Sequence, residues 1–181
     1  MDEGGDGALV MRCRSGDRRA FAALVVRYEK PVYNAALRML RNPEDARDVT
    51  QTVFLKAYEH LGDYDPSYRF YSWIYRIALN ESINALHRRT RLEPISGEEI
   101  DGEPGPEETL GRQQLGRGIE DALMALKLEH RSVIVLKHLL DCSYEEMGEM
   151  LGLPEKTVKS RLFTARQLLR EALLANGMER P

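Results

Sequence analysis

The sequence predicts an all-α protein made of two small helical domains joined by a flexible acidic linker. Three stretches carry that reading. Residues 70–91 run for 22 positions without glycine or proline, so nothing interrupts a helix there. Residues 92–110 hold seven acids, three prolines, three glycines and no base, a composition that cannot bury enough apolar surface to fold alone. Ser143-Tyr-Glu-Glu146 is a capping box. The short helix that follows ends at Gly152 and leads into a second helix from Glu155, the outline of a helix-turn-helix.

Composition bounds the rest. The chain has 181 residues, 43% hydrophobic and 30% charged, which suits one domain or two small ones. It contains no apolar run of about 18 residues, so no membrane insertion is expected. The start, Met1-Asp-Glu-Gly-Gly-Asp6, is acidic and lacks an apolar core, so it does not read as a secretory signal. Cys13 and Cys142 stand apart, with no CxxC or Cys/His cluster. Neither a disulfide framework nor a metal site is expected, and a reducing cytoplasm is the natural compartment. The net charge of −3 conceals a partition: −3 over residues 1–11, +6 over 12–91, −7 over 92–110 and +1 over 111–181. A basic block and a near-neutral block are thus separated by an acidic spacer.

In chain order, residues 1–15 read as a loose tail, and Ser15-Gly-Asp17 starts a helix. Phe21, Leu24, Val25 and Tyr28 fall on one face of it. Pro31 reads as a break or the first turn of the next helix, whose stripe is Val32, Ala35, Ala36, Met39 and Leu40. Asn42-Pro-Glu-Asp45 is a stop-and-start junction with acids where a helix dipole favours them. In the following helix Ala46, Val49, Val53 and Ala57 face inward, leaving Asp45, Asp48, Gln51, Thr52, Leu55 and Lys56 on other sides. Residues 62–66 are turn chemistry.

A helix from about Ser67 places Ile74, Ile77, Ala78 and Ala85 on one stripe, with Tyr75, Leu79, Ile83 and Leu86 on another. What remains is Arg76, Asn80, Asn84 and His87, followed by Arg88, Arg89 and Arg91. Aromatics at one end, amides in the middle and arginines at the other suit nucleic acid: rings stack on unpaired bases, amides read base edges, arginines hold phosphates. A core helix with a solvated basic end is the plainer alternative.

Beyond the linker, Leu115, Ile119, Ala122, Leu123 and Leu126 repeat helically. A helix from Glu129 carries Val133, Ile134, Leu136 and Leu140. In the last helix Val158, Leu162, Ala165 and Leu169 face inward. Lys156, Thr157, Lys159, Ser160, Phe163 and Arg166 point outward, short polar and basic groups suited to a major groove. An ordinary helical hairpin is the competing reading.

These segments together resemble the extracytoplasmic-function group of bacterial sigma factors, over about residues 16–175. The 13 residues from Asp45 to Ala57 look like the family's polymerase-clamp helix. Phe70 to Asn80 looks like its −10 melting segment, Asn80 to Arg91 its −10 recognition segment, and Ser143 to Arg161 its −35 helix-turn-helix. The resemblance implies a first domain at 16–91, a linker at 92–111 and a second domain at 112–175. It implies core RNA polymerase contacts at Asp45, Asp48, Gln51, Phe54 and Lys56. The −10 strand would be met by Arg76, Asn80, Asn84, His87, Arg88 and Arg89, with Phe70 and Trp73 supporting the melted edge. The −35 element would be met by Lys137, Lys156, Thr157, Lys159, Ser160, Phe163 and Arg166. Promoter DNA and an anti-sigma factor are the further partners implied. Thr164 stands where many relatives carry arginine. Ile74 stands where housekeeping factors carry a second aromatic, which implies weaker melting and stricter promoter demand.

Two other functional classes compete with this reading. A free-standing helix-turn-helix regulator would share the last 40 residues or so but would not need the segments at Asp45–Lys56 or Phe70–Asn80. An enzyme finds no support: His60, His87, His130 and His138 lack HExxH spacing, and no glycine-rich phosphate loop or GxSxG is present. No catalytic residue, metal or cofactor is therefore expected.

Overall fold

A computed structural model of the chain describes residues 5–92 and 110–177, and every regular element within them is helical. The linker at 93–109 lies outside the described residues.

The first helix, α1 (Asp6–Arg14), corrects the expectation of a loose tail over residues 1–15. Leu9 and Val10 are buried, an apolar pair too short to show periodicity. The Asp6 carboxylate accepts hydrogen bonds from Arg27, at 2.5 Å, and from the Tyr28 hydroxyl, which seats α1 on its neighbour. That neighbour, α2 (Arg18–Leu40), is capped by Asp17, whose side chain accepts from the Arg19 and Ala20 amides. It runs straight through Pro31, so the expected break is a correction too. Proline removes one helical hydrogen bond and crowds the preceding turn. Burial of Leu24 and Val32 on either side of it, both fully excluded from solvent, offsets that penalty.

The third helix, α3 (Pro43–Glu59), starts as expected: the Asn42 side chain accepts from the Glu44 and Asp45 amides, at 2.9 and 3.0 Å. After a 3₁₀ turn at Leu61–Asp63 comes α4 (Phe70–Leu92). Helices α2, α3 and α4 pack on one another and α1 closes against α2.

The second unit is α5 (Leu110–Ala125), α6 (Leu128–Ile134) running into a π-helical turn (Val135–Leu139), α7 (Tyr144–Leu151) and α8 (Glu155–Ala175). The expected stripes of α6 and α8 are buried at Val133, Ile134, Leu136, Val158, Leu162 and Ala165, while Ile119 on α5 is 39% exposed.

The two units touch, which the notion of domains spaced only by a linker did not anticipate. Helix α4 packs on α7, and α2 on α5 and α6. Buried apolar residues of both units form one contiguous cluster. The centre of the seam is Arg131, 8% exposed. Its guanidinium donates to the carbonyls of Leu123 (3.0 Å), Met124 (2.9 Å), Leu126 (3.2 Å) and, across the seam, Met39 (2.6 Å). These carbonyls sit at or just beyond the C-terminal ends of α2 and α5, where the helix dipole is negative, so a cation is suited to the spot. Arg38 pairs with Glu120, and Arg41 with Asp121 at 2.5 Å, along the same edge.

Cys142 and Tyr75 are both buried near the seam. Burial raises both, the Cys142 thiol from 9.0 and the Tyr75 hydroxyl from 10.0, each to about 12. A raised folded-state pKa means stability that is complete below the unfolded value and is lost as pH climbs toward the folded one. The thermal midpoint is therefore expected to fall between pH 9.0 and about 12. Alkylation of Cys142 by iodoacetamide at pH 8 should require denaturation, consistent with a small apolar role for this residue.

Candidate protein and nucleic-acid interfaces

Three surfaces collect the residues singled out by the sequence. On α3, the buried set is Ala46, Val49, Thr50, Val53, Phe54 and Ala57, a wide helical stripe facing α2 and α4. Phe54 belongs to it, 8% exposed. It presents little surface of its own and supports the face from beneath. Asp48 and Gln51 are exposed, Asp45 is half-buried, and Leu55 is 65% exposed beside them. Lys56 leans onto α4, pairing at 2.7 Å with Glu81, a carboxylate that is itself buried. Around the edge of this face the Phe21 and Tyr58 rings meet edge-on at 5.0 Å, and with Val25 and Val26 they line an open apolar groove of about 620 Å³.

On α4, the two apolar stripes are buried at Ile74, Tyr75, Ala78 and Leu79 and half-buried at Ile77, Ile83, Ala85 and Leu86. That leaves Arg76, Asn80, Asn84, His87 and Arg88 exposed and Arg89 half-buried. The first four fall at i, i+4, i+8 and i+11, a single row along the helix. The Asn84 amide also donates to Glu81, at 3.3 Å. Phe70 is 2% exposed, so any support it gives the melted edge passes through the rings around it. It is the hub of an aromatic cluster with Tyr28 (5.5 Å), Tyr64 (5.7 Å) and Trp73 (5.7 Å). Half-buried Trp73 stands 5.4 Å from Tyr64, and the two line a pocket of 320 Å³ with Tyr68, Asp63, Asp65 and Arg76. Sequence spacing does not reveal this pocket: residues 62–66 read only as a turn and Tyr68 as part of a helix from about Ser67, whereas α4 starts at Phe70 and leaves Tyr68 in the loop. Glu149 and Met150 of α7 close one side of it. Next to it Glu146 accepts from the Tyr71 hydroxyl and lies 3.7 Å from Arg69.

On the second unit, the capping box forms as expected. The Ser143 hydroxyl accepts from the Glu146 amide at 3.2 Å, and Glu146 accepts from the Ser143 amide at 2.8 Å. Gly152 takes a left-handed conformation at φ 65°, and Gly148 lets the Leu153 carbonyl approach to where a Cβ would stand only 2.8 Å away. Ser143→Ala is expected to cost about 1 kcal/mol, a drop of a few degrees in thermal midpoint measured by circular dichroism.

Lys156, Thr157, Lys159, Ser160, Phe163 and Arg166 are all exposed on α8. Phe163 is 64% exposed, a large ring left in solvent on a polar helix face. Lys137 is held from below, donating to the Cys142 carbonyl at 2.9 Å. The Tyr144 ring, not singled out in the sequence, lies 5.6 Å from the Lys137 ammonium and 5.2 Å from that of Lys159, so cation–π attraction gathers both cations at the motif. Arg166 donates to His138 at 3.2 Å. Burial first, then the nearby Arg166 and Lys137 charges, hold the His138 pKa down, which keeps the imidazole neutral and able to accept. At the start of α8, His130, Lys156, Thr157, Ser160 and Arg161 surround an open 420 Å³ hollow.

Among the described residues no three His, Cys, Asp or Glu side chains converge as metal donors, and no helix is long and apolar enough to cross a membrane.

Against known proteins, the family model described as Sigma-70 region 2 matches residues 24–92, and that described as Sigma-70, region 4 matches residues 117–169. The RNA polymerase sigma-H factor of Pseudomonas aeruginosa is 32% identical over 180 residues, covering 93% of each chain. The ECF RNA polymerase sigma factor SigW of Bacillus subtilis is 32% identical, covering 91% of this chain and 94% of its own. The ECF RNA polymerase sigma-E factor of Escherichia coli is 34% identical, covering 91% and 92%. Among solved structures, CnrH in complex with the cytosolic domain of CnrY aligns with a TM-score of 0.74 at 31% identity, over 94% of this chain and 97% of that one.

Proposed function

The chain belongs to the extracytoplasmic-function group of sigma-70 RNA polymerase sigma factors, and from that premise we propose that it binds core RNA polymerase and directs it to promoters through separate −10 and −35 surfaces. It carries out no chemistry of its own; bond making stays with the polymerase. The free-standing regulator is not favoured, because the relatives align along nearly the whole chain and not over the helix-turn-helix alone.

The observation that carries the reading is the presence of three distinct exposed surfaces in the family's order. Asp45, Asp48 and Gln51 on α3 serve as the polymerase face, continuous with exposed Leu55. The row Arg76, Asn80, Asn84 and His87, extended by Arg88 and Arg89, tracks the −10 strand, while the Trp73 pocket takes an unpaired base by stacking. Residues Lys137, Lys156, Thr157, Lys159, Ser160, Phe163 and Arg166 dock on the −35 duplex, basic groups holding phosphates and short polar ones reading edges. The first domain is 16–91 with α1 added ahead of it, the second is 112–175 with α5 reaching back to Leu110, and the residues between them are the linker; the protein works in the cytoplasm.

The elements they read lie about 25 base pairs apart, roughly 85 Å at 3.4 Å per pair. Two units in direct contact do not span that distance. The seam through Arg131 and Glu146 therefore opens on polymerase, and the polymerase supplies the spacing. The same closed form fits capture by an anti-sigma factor; the similar chain CnrH is itself found in complex with the cytosolic domain of CnrY.

The test is run-off transcription with core RNA polymerase on a library of promoters from the source genome. Discrete new transcripts that depend on this chain are expected. No stimulation from any promoter, with the chain bound to duplex DNA in the absence of polymerase, would sink the reading.

A further inference from the structure

The N-terminal helix α1 takes no part in any of the three surfaces, yet it ends on the loop that shapes one of them. Arg14, in its last turn, aims its guanidinium at the chain just before α4. Its Nε and one Nη both donate to the Leu61 carbonyl, at 3.1 and 3.0 Å. The same Nη donates to the Gly62 carbonyl at 3.0 Å and to that of Tyr64. Its guanidinium carbon also stands 6.0 Å from the centre of the Tyr64 ring.

Carbonyls gathered within four residues repel one another unless a donor joins them. A planar fork with several N–H groups satisfies them together, which a lysine ammonium cannot match. The loop so held carries Asp63, Tyr64 and Asp65, which form one wall of the 320 Å³ pocket, with Trp73 on α4 as another. The other end of α1 is fixed to the same cluster: Asp6 accepts from Tyr28, whose ring packs against Phe70 at 5.5 Å. Helix α1 is thus a brace, tied at both ends to the aromatic residues around the pocket.

We propose that Arg14 is a positioning residue for −10 recognition, holding loop 61–65 in the shape that admits an unpaired base between Tyr64, Tyr68 and Trp73. The proposal rests on the reading of that pocket as part of the −10 surface. Arg14 touches no DNA; it acts through the carbonyls of the loop.

The experiment uses holoenzyme assembled from core RNA polymerase and the full chain. It selects from a pool of short randomised single-stranded DNA, with core polymerase alone as background, and the recovered motif is sequenced. Wild type is expected to recover a motif with one position whose preference is lost in Trp73→Ala and Tyr68→Ala. Arg14→Ala should weaken that one preference about tenfold, the scale of a lost base stack, while the other positions and co-purification with core enzyme persist. Arg14→Lys should recover part of it. Arg12→Ala, whose side chain pairs with Asp17, should leave the motif unchanged.

An Arg14→Ala holoenzyme that recovers the wild-type motif, while Trp73→Ala and Tyr68→Ala do not, overturns the role of Arg14 and leaves the pocket standing. If those two variants also recover it, the pocket reading fails and takes the proposal with it. Hydrogen exchange on the full chain guards against a folding artefact. With Arg14→Gln, faster exchange confined to the amides of 61–65 supports the brace. Equal acceleration throughout α1 to α4 marks a general structural role and refutes it.

Discussion

Asp48→Arg combined with Gln51→Ala is expected to weaken binding to core RNA polymerase by at least about 100-fold. Both side chains lie exposed on α3, so neither contributes packing to the fold. The double change removes a carboxylate and an amide from the centre of the proposed face and plants the opposite charge there. Loss of central interface contacts costs about 2 kcal/mol or more, and a reversed charge adds several through like-charge opposition. Co-purification with tagged core enzyme reads the result, and run-off transcription should fall in parallel. The thermal midpoint should move by no more than about 2 °C, the range of a surface substitution in a chain of this size. Undiminished binding by the double variant would remove α3 from the polymerase interface.

Arg131→Met is the change expected to hurt the fold most. It keeps length and apolar bulk but leaves four carbonyls, from Leu123, Met124, Leu126 and Met39, without their shared donor. Unsatisfied buried acceptors cost about 1–3 kcal/mol each where water cannot replace the donor. A loss of about 3–5 kcal/mol, allowing for some relaxation, lowers the thermal midpoint by roughly 10 °C. Arg131→Lys should fall between, since one ammonium cannot reach the same set of carbonyls. Because the bond to Met39 crosses the seam, hydrogen exchange in Arg131→Met should rise at the ends of α2 and α5 before it rises in α3. A midpoint within 2 °C or so of wild type would mean that water takes over the carbonyls and that the seam does not depend on this residue.

Much of this was legible from periodicity. The spacing of Ala46, Val49, Val53 and Ala57 marks the inward side of α3, and the row from Arg76 to His87 is what remains once both stripes of α4 are removed. The burial of Phe54 and Phe70 could have been read by the same rule. Phe54 follows Thr50 by four and Phe70 precedes Ile74 by four, so each extends a buried row. Pro31 is a different case: its local penalty is real, but packing on both sides outweighs it.

Local sequence alone specified the helices from α3 onward, most of the caps, the helix-turn-helix and the outward residues of α3, α4 and α8. These follow from interactions within a few residues, where periodicity and capping chemistry act. Long-range packing set the rest: that α1 exists as a brace, that Arg14 grips loop 61–65, that Arg131 is buried and that α7 closes on the aromatic pocket. Each of these joins groups far apart in the chain: Arg14 with Leu61, Arg131 with Met39, Tyr71 with Glu146. A charged residue reads as solvent-facing in any local window, because charges are almost never buried unless partnered. The partners here are mostly backbone carbonyls, which every residue carries and no sequence pattern marks.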